Sequence, residues 1–296
     1  MSINKKIKYA TRFLPDKMYI QLYYFLKFKK KCDLKNPKTF NEKLQWIKLY
    51  DRNPQYIKMV DKYEAKNYVS RIIGAEYIIP TLGRWDKFKE IDFKSLPDQF
   101  VLKCTHDSNC TIICKDKKNF DFAKAEKRLT ESLSFNYYYV GREWPYKYVK
   151  PRIIAEKYMN ISNGTERNNK EDGLIDYKFY CFNGIPKFLY ISQGLDHHET
   201  ARISFVTLDW EFAPFERKDY KPFTILPPKP KNFDSMIEIS KKLSKGHRFL
   251  RVDLYEIDEQ VYFSELTFTP CSGMMLFKNP KDDEKLGHLL ELSENI

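Results

Sequence analysis

The chain has 296 residues, enough for one large domain or two smaller ones, and a formal net charge of +12. Its 10 glycines argue against a linker-rich or low-complexity protein, and no apolar run reaches the roughly 18 residues of a transmembrane helix. Residues 1–30 lack the apolar core of a signal peptide, so we expect a cytoplasmic globular protein.

Much of the positive charge lies in residues 1–31, where lysines alternate with Tyr, Phe, Leu and Ile. A basic, aromatic, amphipathic helix is typical of a segment that lies on an anionic membrane surface. The same pattern also fits a helical extension that packs on the core and exposes its lysines, and the sequence leaves both interpretations open. No helix-turn-helix, zinc-finger or RNA-binding motif is visible, so we predict no nucleic-acid partner.

Residues 37–73 are predicted to form two helices. Thr39 is a suitable N-cap with Glu42 three residues later, which is the capping-box pattern. The Asn-Pro pair at residues 53–54 separates the two helices. Residues 74–98 contain two glycines and two prolines and are expected to form a connecting stretch.

Two apolar strands are predicted at residues 100–104 and 111–114, joined by the short polar loop 105–110. Lys103 lies at the mouth of this loop, an arrangement typical of a loop that folds over phosphate groups. A third apolar strand, at residues 153–159, carries an acid and a lysine side by side.

Two hairpins follow in the second half of the chain. Residues 176–191 form the first, with Asn-Gly at 183–184 as a type I′ turn, and Lys178 lies on its first strand. Residues 249–270 alternate apolar and polar side chains around a tight turn at 258–259 and form the second.

The second hairpin brings Asp253 and Glu265 side by side on opposite strands. Two carboxylates this close repel unless a positive charge lies between them, and Mg²⁺ is the usual cation near phosphates. Arg251 shares the strand face of Asp253 and suits a phosphate oxygen. A charged, solvent-exposed face is the alternative interpretation, but the strand lysines favour a nucleotide–metal site.

The cysteines are predicted to be free buried thiols. Cys104, Cys110 and Cys114 lack the paired spacing of a zinc site. His197 and His198 are adjacent, and adjacent strand residues point to opposite faces, so one ion is not expected to take both. A loop position is favoured for this pair, with a substrate contact as the alternative.

As a set, segments between residues 38 and 277 resemble the ATP-grasp superfamily, and most closely the TupA-like proteins of bacterial surface-polysaccharide gene clusters. The matching segments are KTFNEKLQWIKLYDRNP, DKYEAKNYV, FVLKC, IIAEKYM, DYKFYCFNGIPKFLYI, RVDLYE and SELTFTPCSG. The resemblance implies an α+β ATP-grasp fold, in which N-terminal helices precede two α+β lobes with the nucleotide between antiparallel sheets. The implied regions are a helical region at 1–98, a small nucleotide lobe at 99–159, and a large lobe with the metal and acceptor site at 160–296.

The resemblance also implies a set of ATP contacts. These are Lys62, Lys103, His106, Ser108, Asn109, Glu156, Lys157, Met159 and Lys178. Lys62 is expected on a helix, the loop residues form a lid over the phosphates, and residues 156–159 form the hinge that receives the adenine. The loop has no glycine, although close backbone approach to phosphate favours glycine, and Asp107 would place an anion beside the phosphates.

Catalytic and metal roles follow from the same resemblance. Lys178 and Arg251 resemble the residues that steady the transferred phosphate. Asp253, Glu265 and Thr267 resemble the Mg²⁺ ligands, although many family members have Asn where Thr267 stands. The candidate acceptor contacts are His197, His198, Arg202 and Arg217.

The implied activity is that of an ATP-dependent carboxylate–amine ligase with an acyl-phosphate intermediate, using ATP and Mg²⁺. The expected substrates are a uronic acid of an anionic surface glycan and an amine or amino acid, handled in the cytoplasm or at the inner face of the plasma membrane. A glycosyltransferase of capsule biosynthesis is the main alternative, but no Asp-x-Asp motif is found, only weaker matches at Asp116 and Asp209. A kinase with the same ATP site and a catalytically silent binding module are further alternatives.

Overall fold

The computed structural model describes residues 3–108, 110–159, 174–195 and 200–292, which form a mixed α+β fold. The helices in these ranges are α1 (Ile3–Ala10), α2 (Asp16–Phe28), α3 (Phe40–Tyr50), α4 (Gln55–Val60), α5 (Glu64–Ile73), α6 (Phe122–Leu133), α7 (Tyr138–Gly141), α8 (Phe233–Ser244) and α9 (Lys281–His288). The strands are β1 (Thr81–Trp85), β2 (Phe100–Cys104), β3 (Thr111–Cys114), β4 (Ile153–Lys157), β5 (Asp176–Phe182), β6 (Ile185–Gln193), β7 (Arg202–Thr207), β8 (Phe249–Ile257) and β9 (Gln260–Thr267).

The chain divides into two compact units. The first comprises Met1–Tyr23, Lys48–Tyr68 and Ile78–Met159, and the second comprises Tyr24–Ile47, Val69–Tyr77 and Asn160–Ile296. Each unit has its own antiparallel sheet and its own cluster of buried apolar side chains. Of the helices in the described ranges, none has the length and apolar character of a membrane-spanning segment.

The sheet of the first unit has the strand order β1-β4-β2-β3. Strands β2 and β3 have the predicted bounds, and β4 begins as predicted at Ile153 but ends at Lys157, two residues earlier than expected. Strand β1 corrects the expectation that residues 74–98 only connect other elements, because Thr81–Trp85 pairs with β4. Gly83 and the preceding Pro80 made this stretch resemble a loop, and pairing with the edge of β4 supplies the backbone hydrogen bonds that a loop would lack.

Residues 37–73 form three helices where the sequence predicts two. The predicted capping box at the start of α3 is confirmed: Glu42 N donates to Thr39 Oγ1 at 3.2 Å, and Thr39 N donates to Glu42 Oε2 at 3.1 Å. The additional break lies at Asp61, whose Oδ1 accepts hydrogen bonds from the backbone N–H groups of Tyr63 (2.8 Å) and Glu64 (3.2 Å) and starts α5.

The sheet of the second unit has the order β7-β6-β5-β8-β9 and contains both predicted hairpins. Asn183 and Gly184 have φ values of 52° and 78°, and Asp258 and Glu259 have φ values of 50° and 62°. Positive φ at both central residues is the requirement of a type I′ turn, whose twist matches that of the flanking strands. The two turns therefore set the registers that place the charged side chains of β5, β8 and β9.

The two faces of this sheet differ in what covers them. Helix α8 packs on one face, where Phe233 contacts Phe179 with ring centroids 5.8 Å apart. On the other face Phe40 of α3 packs against Phe182 and Phe249, with centroid distances of 5.7 and 5.2 Å. Farther along the strands, away from these two phenylalanines, the second face becomes polar.

Candidate nucleotide and metal site

A row of charged side chains crosses three strands of the second unit. Lys178 of β5 pairs in register with Asp253 of β8, and Asp253 pairs with Glu265 of β9. In the next row Arg251 pairs with Thr267. Because partners in register lie on the same face of a sheet, the five side chains form one group, as the hairpin register predicts for the two acids.

Asp253 is the buried centre of this group, with 1% of its surface exposed. Arg251 donates two hydrogen bonds of 2.7 Å to this carboxylate, from Nε to Oδ1 and from Nη2 to Oδ2. Lys178 Nζ donates to Oδ2 at 3.2 Å. Three donors from two cations therefore balance one buried carboxylate.

Lys178 is held on its other side by Asp176, whose Oδ1 lies 2.8 Å from Nζ. Burial disfavours the charged form of Lys178, but the attraction of Asp176 and Asp253 outweighs it and raises the pKa of Lys178. For Asp253 burial is again opposed, here by Arg251 and Lys178, which lower its pKa. Lys178 and Asp253 therefore both stay ionised around neutral pH.

Glu265 and Thr267 lie at the accessible side of the group. Glu265 Oε2 lies 3.8 Å from the Arg251 guanidinium, and Thr267 Oγ1 accepts a hydrogen bond from it at 3.0 Å. The side chain of Glu265 is 31% exposed, against 1% for Asp253. The guanidinium thus supplies positive charge between the two acids.

The oxygen donors of this group suit Mg²⁺, which usually binds one or two carboxylates and completes its shell with water and phosphate oxygens. Glu265 offers an accessible carboxylate, and among the described residues Asp253 Oδ1 accepts one hydrogen bond, from Arg251, which leaves lone-pair capacity. Within the described ranges, no set of three or more His, Cys, Asp or Glu side chains is grouped as a metal site. The carboxylates and the hydroxyl of this group would fit Mg²⁺ with water or phosphate oxygens as its other ligands.

A second charged cluster lies in the first unit, around Glu156 of β4. Lys103 Nζ lies 2.6 Å from Oε2, and Lys66 Nζ of α5 lies 2.5 Å from Oε1. Burial alone would raise the pKa of Glu156, but the two ammonium groups lower it to about 2. The sequence prediction missed Lys66, which also donates to the Ile79 carbonyl at 2.8 Å and to Thr81 Oγ1 at 2.9 Å.

The predicted position of Lys62 needs a correction, because α5 begins only at Glu64 and Lys62 precedes it. Lys62 N donates to the Thr105 carbonyl at 3.1 Å, and its Nζ donates to the Asp107 carbonyl. Lys62 thus holds the backbone of the predicted phosphate loop. Lys66 follows Lys62 by four residues, the spacing of neighbours on one helix face, and this spacing could have indicated Lys66 as a second candidate.

The side chains of the loop point in different directions. His106 is buried, with Nε2 3.0 Å from the Ser132 carbonyl, and burial lowers its pKa. Asp107 is also buried, and its Oδ2 accepts a hydrogen bond from Ser132 Oγ. The structure therefore does not bring the His106 side chain to Lys103, and it turns the Asp107 carboxylate into the core, whereas Ser108 is partly exposed.

Four further predicted residues, Lys157, Met159, Arg202 and Arg217, lie in the described ranges. Lys157 has an exposed side chain and its N–H donates to the Pro80 carbonyl at 3.0 Å, and Met159 is half-buried two residues later. Arg202 is exposed on β7 and donates to the Pro222 carbonyl at 3.3 Å. Arg217 forms two hydrogen bonds with Asp219, of 2.9 and 2.7 Å. Asn109, His197 and His198 lie outside the described residues.

Comparison with solved structures finds similarity to ligases. The D-alanine–D-alanine ligase from Helicobacter pylori is 16% identical with a TM-score of 0.40, and the match covers 85% of this chain and 69% of that chain. The D-alanine–D-alanine ligase from Bacillus anthracis complexed with ATP is 14% identical with a TM-score of 0.37, and the match covers 71% of this chain and 53% of that chain. The ATP-grasp ligase PsnB complexed with minimal precursor, Mg and ADP is 10% identical with a TM-score of 0.41, and the match covers 84% of this chain and 64% of that chain.

This chain spans only 53% to 69% of the length of these three proteins. No match to a functionally curated protein reaches significance. All three TM-scores are low, so the assignment depends on the match of residues 42–291 to the family described as TupA-like ATPgrasp. That match covers most of the sequence and agrees with the resemblance of its segments to the ATP-grasp superfamily. The chain belongs to the TupA-like ATP-grasp family.

Proposed function

We propose that the protein is an ATP-dependent ligase that joins a carboxylate to an amine through an acyl phosphate. The observation that carries this proposal is the row of Lys178, Asp253 and Glu265 with Arg251 beside it. Buried cations and accessible oxygen donors on one rigid sheet suit the transfer of a phosphoryl group, which needs positioning and charge neutralisation and no protein nucleophile.

The reaction has two steps. A carboxylate oxygen of the acid attacks the γ-phosphorus of ATP, the bond from this phosphorus to the bridging oxygen breaks, and ADP leaves. The amine nitrogen then attacks the acyl carbon, the bond to the phosphate oxygen breaks, and inorganic phosphate leaves while the nitrogen loses a proton. Lys178 and Arg251 neutralise charge on the transferred phosphoryl group. The buried acids Asp176 and Asp253 hold these two cations in position.

We propose metal contacts in the second unit and, separately, nucleotide contacts in the first. Asp253, Glu265 and Thr267 would hold Mg²⁺, which when bound neutralises phosphate charge. Lys103, paired with Glu156 yet 24% exposed, is proposed to contact the phosphates. Residues 156–159 are proposed to receive the adenine, and the backbone of the loop that Lys62 holds is proposed to cover the phosphates. Ser108 and Asn109 belong to that loop.

The proposed acid is a uronic acid of a bacterial surface polysaccharide or of its precursor, and the proposed amine is an amino acid or amino sugar. Family membership and the net charge of +12 support an anionic glycan as acceptor. Arg202 and Arg217, with His197 and His198, are proposed acceptor contacts. The proposed place of action is the cytoplasmic face of the membrane, with residues 1–31 in peripheral contact with anionic lipid.

The proposal is tested by measuring ADP release from Mg²⁺-ATP with galacturonic or glucuronic acid and a panel of amino acids, each alone and in pairs. A ligase releases ADP in sustained turnover only when both an acid and an amine are present. Release with the acid alone, at the same rate, would identify a kinase. Sugar-nucleotide hydrolysis without ADP formation would identify a glycosyltransferase, and Glu265→Gln serves as the control for metal-dependent turnover.

A further inference from the structure

Helix α2 has apolar side chains on two opposite faces. On one face Tyr19, Ile20 and Tyr24 are buried. The opposite face carries the α2 stripe, which consists of Met18, Leu22, Phe25 and Leu26. The stripe has the i, i+4, i+7, i+8 spacing of a single helix face, and its members are between 41% and 59% exposed. A surface helix normally places polar side chains opposite its buried face, so this stripe indicates a partner.

A fixed turn before α2 presents one more apolar side chain. Phe13 is 78% exposed in the segment between α1 and α2. The buried guanidinium of Arg142 donates to the carbonyls of Thr11, Arg12 and Leu14, at 3.1, 3.2 and 3.0 Å. The backbone on both sides of Phe13 is therefore held in place, and binding through Phe13 requires little additional ordering.

The surroundings of the stripe are cationic. Residues 1–31 contain nine Lys and Arg residues and one acidic residue, Asp16. The negative charge of Asp16 is balanced by two arginines, since its carboxylate lies 3.6 Å from Arg142 Nε and 3.4 Å from the Arg52 guanidinium. The same carboxylate accepts a hydrogen bond from Tyr138. The exposed lysines around and after α2 are Lys17, Lys27, Lys29, Lys30 and Lys31.

We propose that the α2 stripe and Phe13 form a docking surface for an anionic phospholipid bilayer, with α2 lying in the plane of the interface. Apolar side chains flanked by lysines match the acyl and headgroup layers of such a bilayer. A soluble anionic glycan would match the lysines only, and a second copy of this chain would bring like charges together. The inference deepens the proposed membrane contact and rests on the proposed function for the identity of that membrane.

Sedimentation of the full-length protein with vesicles tests this surface in the absence of ATP. The vesicles are phosphatidylcholine alone or an equimolar mixture with phosphatidylglycerol. We expect binding to the mixed vesicles that weakens with added salt, and binding at least about tenfold weaker for Phe13→Ser/Leu22→Ser/Phe25→Ser. The matched control is Ile225→Ser, which removes an apolar side chain that is 82% exposed elsewhere and should bind as the wild type does.

Several results would overturn the inference. These are equal binding to both vesicle types, unchanged binding of the folded triple variant, and release of the protein by soluble polygalacturonate as complete as release by salt. A wild-type dimer that the triple variant converts to a monomer would assign the stripe to self-association. Thermal melting establishes that each variant is folded. Because the assay needs neither acid nor amine, its failure is distinguishable from failure of the ligase proposal.

Discussion

Arg251 and Asp253 stand two residues apart on β8 and are joined by two hydrogen bonds of 2.7 Å in a buried environment. Lys178 lies against the same carboxylate. Replacing Asp253 by Asn removes the buried charge that both cations share, so that Arg251 keeps the 3.8 Å contact with Glu265 and Lys178 keeps Asp176. Because unpaired buried charge is costly, we expect Asp253→Asn to lower the free energy of unfolding by about 3–5 kcal/mol. Urea unfolding measures this loss, and a loss below about 1 kcal/mol would contradict the proposed balance of charges.

Replacing Glu265 should slow catalysis and leave the free energy of unfolding almost unchanged. Its side chain is partly exposed and lies 3.8 Å from the Arg251 guanidinium, so Glu265→Gln should change the free energy of unfolding by less than about 1 kcal/mol. The same change removes a proposed metal ligand and should slow ADP release about 100-fold. Mg²⁺ titrations of both proteins check the assignment, which fails if their rates and their Mg²⁺ dependence coincide.

Lys103 and Lys66 contact the same carboxylate and should nevertheless act differently. Lys103 is 24% exposed, whereas Lys66 is 11% exposed and also binds the Ile79 carbonyl. We expect Lys103→Met to weaken ATP binding by about tenfold or more, the value of one charge-assisted hydrogen bond. Lys66→Met should instead lower the free energy of unfolding by about 1–3 kcal/mol. Calorimetric titration with ATP and urea unfolding of both variants test this division, which is wrong if the two effects are exchanged.

His247 should make the protein less stable in mild acid. Burial lowers the pKa of His247 to about 4, below its ordinary value of 6.5, so the unfolded chain takes up this proton more readily than the folded one. Stability should therefore fall as the pH drops from 6.5 towards 4, by roughly 2 kcal/mol between pH 7.5 and 5 from this residue alone. His247→Gln should show a correspondingly shallower pH dependence in urea unfolding, and identical slopes would exclude this cause.

The elements that local chemistry determines were predictable from the sequence. The first hairpin has the turn residues Asn183 and Gly184, which accept positive φ, and the alternating pattern of the second hairpin places Asp253 opposite Glu265. The capping box of Thr39 and Glu42 is likewise a local pattern, and it starts α3 as expected. In each case the residues that set the geometry are close together in the sequence.

The features that depend on tertiary contacts were not predictable. The pairing of β1 with β4 overrides the glycine and proline that made residues 74–98 resemble a connection. The ion pair between Arg251 and Asp253 was not predicted either, because the sequence does not show that these two side chains of one strand face are buried together. Lys66 was missed because the sequence does not reveal that α5 faces Glu156.

The most direct test of the ligase proposal follows an oxygen atom. The protein is incubated with Mg²⁺-ATP, an amino acid and galacturonic acid labelled with ¹⁸O in its carboxylate, and the released phosphate is analysed by mass spectrometry. An acyl-phosphate route predicts one ¹⁸O atom in each phosphate and an amide product that keeps the other. Phosphate without the label, formed at the rate of ADP, would contradict the account.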